Sequence, residues 1–162
     1  MKTLFLLLLL PFGAFSQVEN FGKFKSAEGD KINGTSLAKG YEKQLEVNNL
    51  KGTPAGNNTT LRFEIPTSPA TAHFRNALNA GKKLPNGEIV VTIPGERRTL
   101  DHRIIMQDIE VVRCSDENGN TQLELKAGKI GWVYYTTDRR GKAMISSKAG
   151  WDQAANDTWT DF

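Results

Sequence analysis

The chain has 162 residues, with 21 lysines and arginines against 18 aspartates and glutamates, and a formal net charge of +3. Charges of both signs are spread along the whole chain, so the composition does not indicate a nucleic-acid or membrane partner. Cys114 is the one cysteine in the sequence, which excludes an internal disulfide and leaves core packing to hold the fold.

The N-terminus has the pattern of a secretory signal peptide. An apolar run covers residues 4–12, and the small residues Ala14 and Ser16 lie three positions and one position before Gln17. A membrane-spanning helix needs about 20 apolar residues, and this run is shorter and contains a proline. We therefore expect residues 1–16 to be removed and the mature chain to be exported, either to the periplasm or out of the cell.

The mature chain has the length of one domain and a pattern of short strands. Roughly 145 residues follow the leader, which is enough for one hydrophobic core. Alternating and β-branched residues, separated by turn signals, predict an all-β barrel or sandwich. The predicted strands cover residues 20–25, 43–49, 59–65, 88–93, 103–112, 121–126 and 130–136. Asn118 and Gly119 predict a tight hairpin, because both residue types tolerate positive φ.

One helix interrupts the strands. Ser68 suits the N-cap, Pro69 suits the first helical position and Gly81 suits a left-handed exit, which together predict a helix over residues 70–80. The apolar residues of this segment share one helical face, which is expected to pack on the barrel: they are Ala70, Phe74, Ala77 and Leu78. His73 lies at the edge of that face.

Two segments are predicted to lie outside the strands and the helix. Residues 50–58, rich in glycine, asparagine and proline, predict an exposed loop. Residues 17–156 are the predicted domain, and residues 157–162 are a tail that is expected to fray.

The residues that could carry catalysis do not form a known catalytic motif. His73 and His102 have no metal-ligand spacing, and the sequence contains no paired-cysteine motif or nucleophile elbow. The sharpest enzymatic alternative is a thiol hydrolase in which Cys114 pairs with one histidine and a carboxylate. The position of Cys114 after an apolar strand instead favours a buried, unreactive residue. We expect no enzymatic activity, no cofactor and no metal site.

Two basic pairs lie beside glycines, Arg97 with Arg98 and Arg139 with Arg140. This setting predicts solvated turns rather than an anion site. After removal of the leader, the expectation is that the chain has neither a nucleic-acid nor a membrane partner.

The most specific motif lies near the C-terminus. A Lys-Ile-Gly-Trp-Val-Tyr-Tyr strand begins at Lys129, a glycine turn follows at Gly141, and a Gly-Trp-Asp segment begins at Gly150. This order and spacing resembles the signature of the Hcp (haemolysin-coregulated protein) family, the tube proteins of bacterial type VI secretion. Residues 104–111 and 32–36 are similar to further segments of that family. The signature residues, expected to be structural, are Lys129, Ile130, Trp132, Tyr134, Gly150, Trp151 and Asp152.

The resemblance implies a mostly-β fold, a compact β-barrel of two sheets flanked by one α-helix. It also implies a non-enzymatic protein that self-assembles into rings, six-membered in the family, which stack into a tube and carry small effectors. The implied partners are further copies of the chain, the secretion spike, the sheath and effector proteins. Within the signature, we expect Trp151 to be buried against the barrel and Asp152 to accept hydrogen bonds from nearby backbone.

Two features separate the chain from a tube subunit. Thr35 stands where the family has a glutamate, and the predicted leader exports subunits singly, whereas the tube assembles in the cytoplasm. Translation from a non-methionine codon, such as that of Val18, would leave the chain cytoplasmic. Three functions stay open: a ring-forming, tube-like protein; an exported Hcp-like binding module that acts as a monomer or single ring; and a secreted thiol hydrolase.

Overall fold

The computed structural model describes residues 18–52 and 59–162, so the predicted leader and most of the predicted 50–58 loop lie outside the described residues. Ten strands and one helix occur in the described residues. In chain order they are β1 (Glu19–Lys25), β2 (Lys31–Ile32), β3 (Leu45–Lys51), β4 (Thr60–Pro66), α1 (Pro69–Ala80), β5 (Leu84–Ile93), β6 (Thr99–Glu117), β7 (Asn120–Lys126), β8 (Lys129–Thr137), β9 (Ala143–Asp152) and β10 (Asp157–Thr158).

Six antiparallel strands close into a barrel. Their order is β6, β5, β1, β3, β4 and β7, and β7 pairs back onto β6. Closure is possible because β6 is long: its first part pairs with β5 and its second part with β7. Outside the barrel, β8 pairs with β6, β9 with β8 and β10 with β9. The predicted mostly-β barrel with one helix is confirmed.

The strands form where apolar and polar residues alternate. In β4, Leu61, Phe63 and Ile65 are buried inside the barrel, while Arg62 between them is exposed. The same alternation recurs in β7, where Leu123 and Leu125 point inwards. Each such side chain contributes about 1.5 to 3 kcal/mol on full burial, so the alternation fixes which face of each strand lines the core.

The helix is capped and packed as its sequence predicts. The backbone N–H of Ser68 donates to Oγ1 of Thr71 at 3.3 Å, and Gly81 ends the helix with φ of 62°. Phe74 is fully buried, with its ring edge-on to that of Phe24 at 5.5 Å between centroids. These contacts hold the apolar face of α1 against the barrel. In the described part of the chain, no helix has the length and apolar character needed to cross a membrane.

All seven predicted strands are present, and three strands were not predicted: β2, β9 and β10. The hairpin at Asn118 and Gly119 is confirmed, with φ of 51° and 79°. Leu50 and Lys51 belong to β3 rather than to a loop. The expectation that the tail frays is wrong, because β10 pairs with β9 and Trp159 is only 6% exposed.

Candidate assembly surfaces

The ladder between β8 and β9 brings the signature residues together. The two strands are antiparallel, and their register places the C-terminal end of β9 beside the start of β8. The neighbouring pairs are Lys129 with Asp152, Ile130 with Trp151, Gly131 with Gly150 and Trp132 with Ala149. Trp132 is buried, 4% exposed, and Tyr134 is half-buried beside it on the same face.

Asp152 joins the two strands and shapes the turn that follows. Its Oδ2 lies 2.8 Å from Nζ of Lys129, and its Oδ1 accepts hydrogen bonds from the backbone N–H groups of Ala154 at 3.0 Å and Ala155 at 3.1 Å. The pKa of Asp152 lies below its ordinary value. The main cause is the hydrogen bond from the Lys129 ammonium, and the second is the hydrogen bond from the backbone N–H of Ala155. The carboxylate is therefore engaged as a hydrogen-bond acceptor and is not available as an acid.

Replacing Asp152 with asparagine should destabilise the protein at neutral pH and have little effect in strong acid. A carboxyl whose pKa is lowered in the folded state contributes stability above its unfolded pKa, and this contribution is lost as the pH falls through the folded pKa. Denaturant unfolding of the wild type and D152N at several pH values measures the difference. A gap between the two proteins that is constant from neutral to strongly acidic pH contradicts this role for Asp152.

Trp151 packs on the core from the outside of the barrel. The side chain is half-buried, less than the predicted burial, and contacts the main hydrophobic cluster next to the fully buried Ile130. Its Nε1 is buried and has no hydrogen-bond partner among the described residues. Packing, rather than hydrogen bonding, therefore accounts for its contribution.

The C-terminal tail covers the other face of the ladder. The Phe162 ring lies over the paired glycines Gly131 and Gly150, so close that a Cβ on either residue would come within 2.6 Å of that ring. The Trp159 N–H donates to the Gly150 carbonyl at 3.0 Å, and the Trp159 and Phe162 rings are 4.6 Å apart. The sequence prediction missed this contact. The available signal was the pair of strand glycines, because a glycine within a strand often marks a close approach.

The outer edge of β9 is open. Residues 143–149 are all exposed, and β10 pairs with β9 only at Trp151 and Asp152. One side of β9 pairs with β8 along its whole length, and the other side has no neighbouring strand over residues 143–149. An open edge of this length exposes unpaired backbone groups to which another strand can add.

Solved structures of type VI secretion proteins share this architecture. Hcp1 from Salmonella typhimurium matches with a TM-score of 0.69 and 20% identity, over 88% of this chain and 99% of that one. A type six secretion system protein matches with a TM-score of 0.73 and 18% identity, over 88% and 100%. The secreted protein Hcp3 from Pseudomonas aeruginosa matches with a TM-score of 0.64 and 14% identity, over 81% and 98%.

The chain has the Hcp fold. No family model matches the sequence, and no curated protein matches it. The likeness is therefore one of structure, at identities of 20% or lower in the three structures described.

The Hcp fold separates the three residues considered for catalysis. Cys114 lies on β6 opposite Leu123, and His102 lies on the same strand opposite Tyr134, with its Nδ1 2.6 Å from Oδ2 of Asp101. His73 is exposed on α1.

The surroundings of Cys114 do not activate a thiol. The sequence predicts a buried side chain, and the structure shows a half-buried one. Burial raises the pKa of its thiol. The charged groups that act on it are Arg75 and Asp116, and neither histidine is among them. A nucleophilic cysteine needs a lowered pKa or an adjacent base. In the described ranges of the Hcp fold, no group of three His, Cys, Asp or Glu residues is arranged to hold a metal ion.

Proposed function

We propose that the processed chain assembles head to tail into rings, six-membered as in the family that it resembles, and that its role is structural rather than catalytic. The extent of the fold match supports this most strongly, because the match covers 99% of Salmonella Hcp1 and 88% of this chain. The surroundings of Cys114 offer no support for a hydrolase.

A ring made of one kind of subunit needs two different patches that meet on neighbouring subunits. The open edge of β9 suits one of them. Its residues 143–149 are exposed, and a strand from the next subunit would pair the free backbone groups. The second part of β6, residues 110–117, also pairs on one side only, with β7, and its end is linked to α1 by the ion pair between Asp116 and Arg75.

The predicted leader decides how far assembly proceeds. We propose that residues 1–16 are removed on export, so that subunits meet outside the cytoplasm and form single rings or short stacks rather than long tubes. Small effector proteins in the lumen, and the secretion spike and sheath, are the partners that the resemblance supplies.

An exported binding module that stays monomeric is the second candidate. The predicted leader favours it, because export of single subunits separates them from a cytoplasmic assembly machinery. In that case the open β9 edge would receive a strand from a different protein rather than from another copy of the chain.

A lysine on the open edge should prevent ring formation and leave the fold intact. Edge lysines block strand addition, because pairing would bury the charge. Ser147 is exposed on this edge, and Asn48, exposed on β3 and paired with Glu64 of β4, provides a control with the same added charge. Light scattering should give ring mass for the wild type and N48K and monomer mass for S147K, with similar melting temperatures. Rings of S147K would show that the contact lies elsewhere.

A further inference from the structure

One end of the domain gathers most of its exposed apolar side chains. Among the described residues, six large hydrophobic side chains are exposed, and five of them lie at this end: Val18, Leu37, Ile93, Met144 and Ile145. The sixth, Val112, lies in β6 beyond the part that pairs with β5. Leu37 is 91% exposed, so nothing in the described structure covers it.

The strand register explains how the fold brings these residues together. Glu19 pairs with Thr92, so the preceding Val18 and the following Ile93 lie side by side. β5 ends where β6 begins, and the register continues from β6 through β8 to the start of β9, which carries Met144 and Ile145. The residues are far apart in sequence and adjacent at one end of the sheet.

The loop that carries Leu37 is held in place at this end. The ring of Tyr41 stacks on that of Phe21 at 4.3 Å between centroids, and the Arg98 guanidinium lies 5.3 Å from the Phe21 ring. Arg98 also forms an ion pair with Glu19, with Nη2 2.6 Å from Oε2. Leu37 therefore lies on a loop that is held by packing. The charge of Arg98 is paired with that of Glu19 within the domain.

Basic side chains surround the apolar ones. The turn between β8 and β9 is built by Asp138, whose Oδ1 accepts hydrogen bonds from the backbone N–H groups of Arg140 at 2.8 Å and Lys142 at 2.9 Å. The side chains around this end that are exposed and form no ion pair with a described residue are Lys39, Arg97, Arg139, Arg140 and Lys142. Three exposed carboxylates lie at this end, those of Glu42 and Glu96 and that of Asp101, whose side chain is 46% exposed beside His102.

We propose that this apolar-basic end, made of the five apolar and five basic residues named above, docks on an anionic lipid surface. Exposed Leu, Ile and Met side chains enter the boundary between headgroups and acyl chains, while arginine and lysine bind the headgroup phosphates. This end shares Met144 and Ile145 with the β9 edge proposed above as a subunit contact, and its other eight residues lie outside that edge. A ring with all subunits in the same orientation would repeat the contact around its face and strengthen the binding.

A second copy of the chain fits this end less well. A partner for five free cations should carry free carboxylates, and two of the exposed carboxylates near α1 are already engaged in ion pairs. Glu28 pairs with Lys82 at 3.4 Å, and Asp116 pairs with Arg75 at 2.6 Å. Exposed apolar side chains at the end of a domain, surrounded by basic ones, also suit insertion into lipid.

Vesicle flotation tests the proposal with the processed protein recovered after export. The vesicles contain phosphatidylcholine alone, or phosphatidylcholine and phosphatidylglycerol in equal parts. The double variant R139S/R140S removes two charges from the apolar-basic end, and K23S/K25S removes two exposed charges from β1, on the barrel wall. The double variant M144S/I145S removes two of the five exposed apolar side chains of this end.

We expect binding to the anionic vesicles, reduced by salt, and none to the neutral ones. R139S/R140S should weaken binding about ten- to thirty-fold, at about 1 kcal/mol per basic residue, and K23S/K25S less than about two-fold. M144S/I145S should also weaken it. No vesicle binding by the wild type overturns the proposal, and so do equal losses of binding in the two charge variants. A lower oligomer mass of M144S/I145S without vesicles also overturns it, because that result assigns Met144 and Ile145 to a contact between copies of the chain.

Discussion

Replacing Trp151 with alanine should lower the free energy of unfolding by about 3 kcal/mol, the lower end of the range for a large aromatic residue in a core. The side chain is half-buried and packs on the main core beside Ile130, so its removal exposes the part of the core that it covers. Denaturant unfolding, followed by fluorescence or circular dichroism, measures this loss.

Trp151→Phe is the matched control. Because Nε1 of Trp151 has no hydrogen-bond partner among the described residues, phenylalanine removes no hydrogen bond and keeps most of the apolar volume. We expect W151F to lose less than about 1.5 kcal/mol. An unchanged melting temperature in W151A would refute a structural role for the Gly-Trp-Asp segment.

Gly150→Ala should detach the C-terminal tail. An added Cβ would lie 2.3 Å from the backbone carbonyl oxygen of Trp159 and 2.6 Å from the Phe162 ring. The side chain cannot move aside from its own strand, so the tail has to leave, and Trp159 becomes exposed. We expect a loss of about 2 to 4 kcal/mol, comparable with that of a buried aromatic residue.

Gly95→Ala provides the control for this substitution. The nearest atom to its added Cβ is the Arg97 carbonyl oxygen at 3.6 Å, an ordinary contact. Its stability should stay within about 0.5 kcal/mol of the wild type. Limited proteolysis should release residues beyond 152 from G150A and not from G95A. Equal protection of the tail in both variants would contradict the packing of Phe162 on the glycine pair.

The barrel and its helix could be predicted from sequence because their signals are local. Leu61, Phe63 and Ile65 alternate with polar residues, and Ser68 and Gly81 mark the two ends of α1. Each of these patterns reports burial on one face or a specific backbone conformation, and both are properties of a short stretch of sequence.

The outer strands could not be predicted in the same way. β9 is exposed from residue 143 to residue 149, so it has no apolar face and no alternation. It is a strand because β8 supplies a neighbour, which is a tertiary cause. The packing of Trp159 and Phe162 depends in the same way on the pairing of Gly131 with Gly150.

The apolar-basic end could not be predicted from sequence for the same reason. Composition suggested charges dispersed along the chain, and the pairs Arg97 with Arg98 and Arg139 with Arg140 were interpreted as solvated turns. The strand register brings the two turns to one end of the sheet. Arg98 differs from the other three arginines because it forms an ion pair with Glu19. A surface assembled from distant segments is visible only after folding.

The mass of the processed protein in solution tests the central claim most directly. Light scattering across a wide concentration range, with electron microscopy of the same samples, measures the number of subunits and their arrangement. A specific contact between subunits should bury at least about 1,000 Å², enough to keep the ring intact on dilution. The proposed function predicts closed rings of six subunits, single or in short stacks. Monomers at every concentration would contradict it and favour an exported binding module with the Hcp fold.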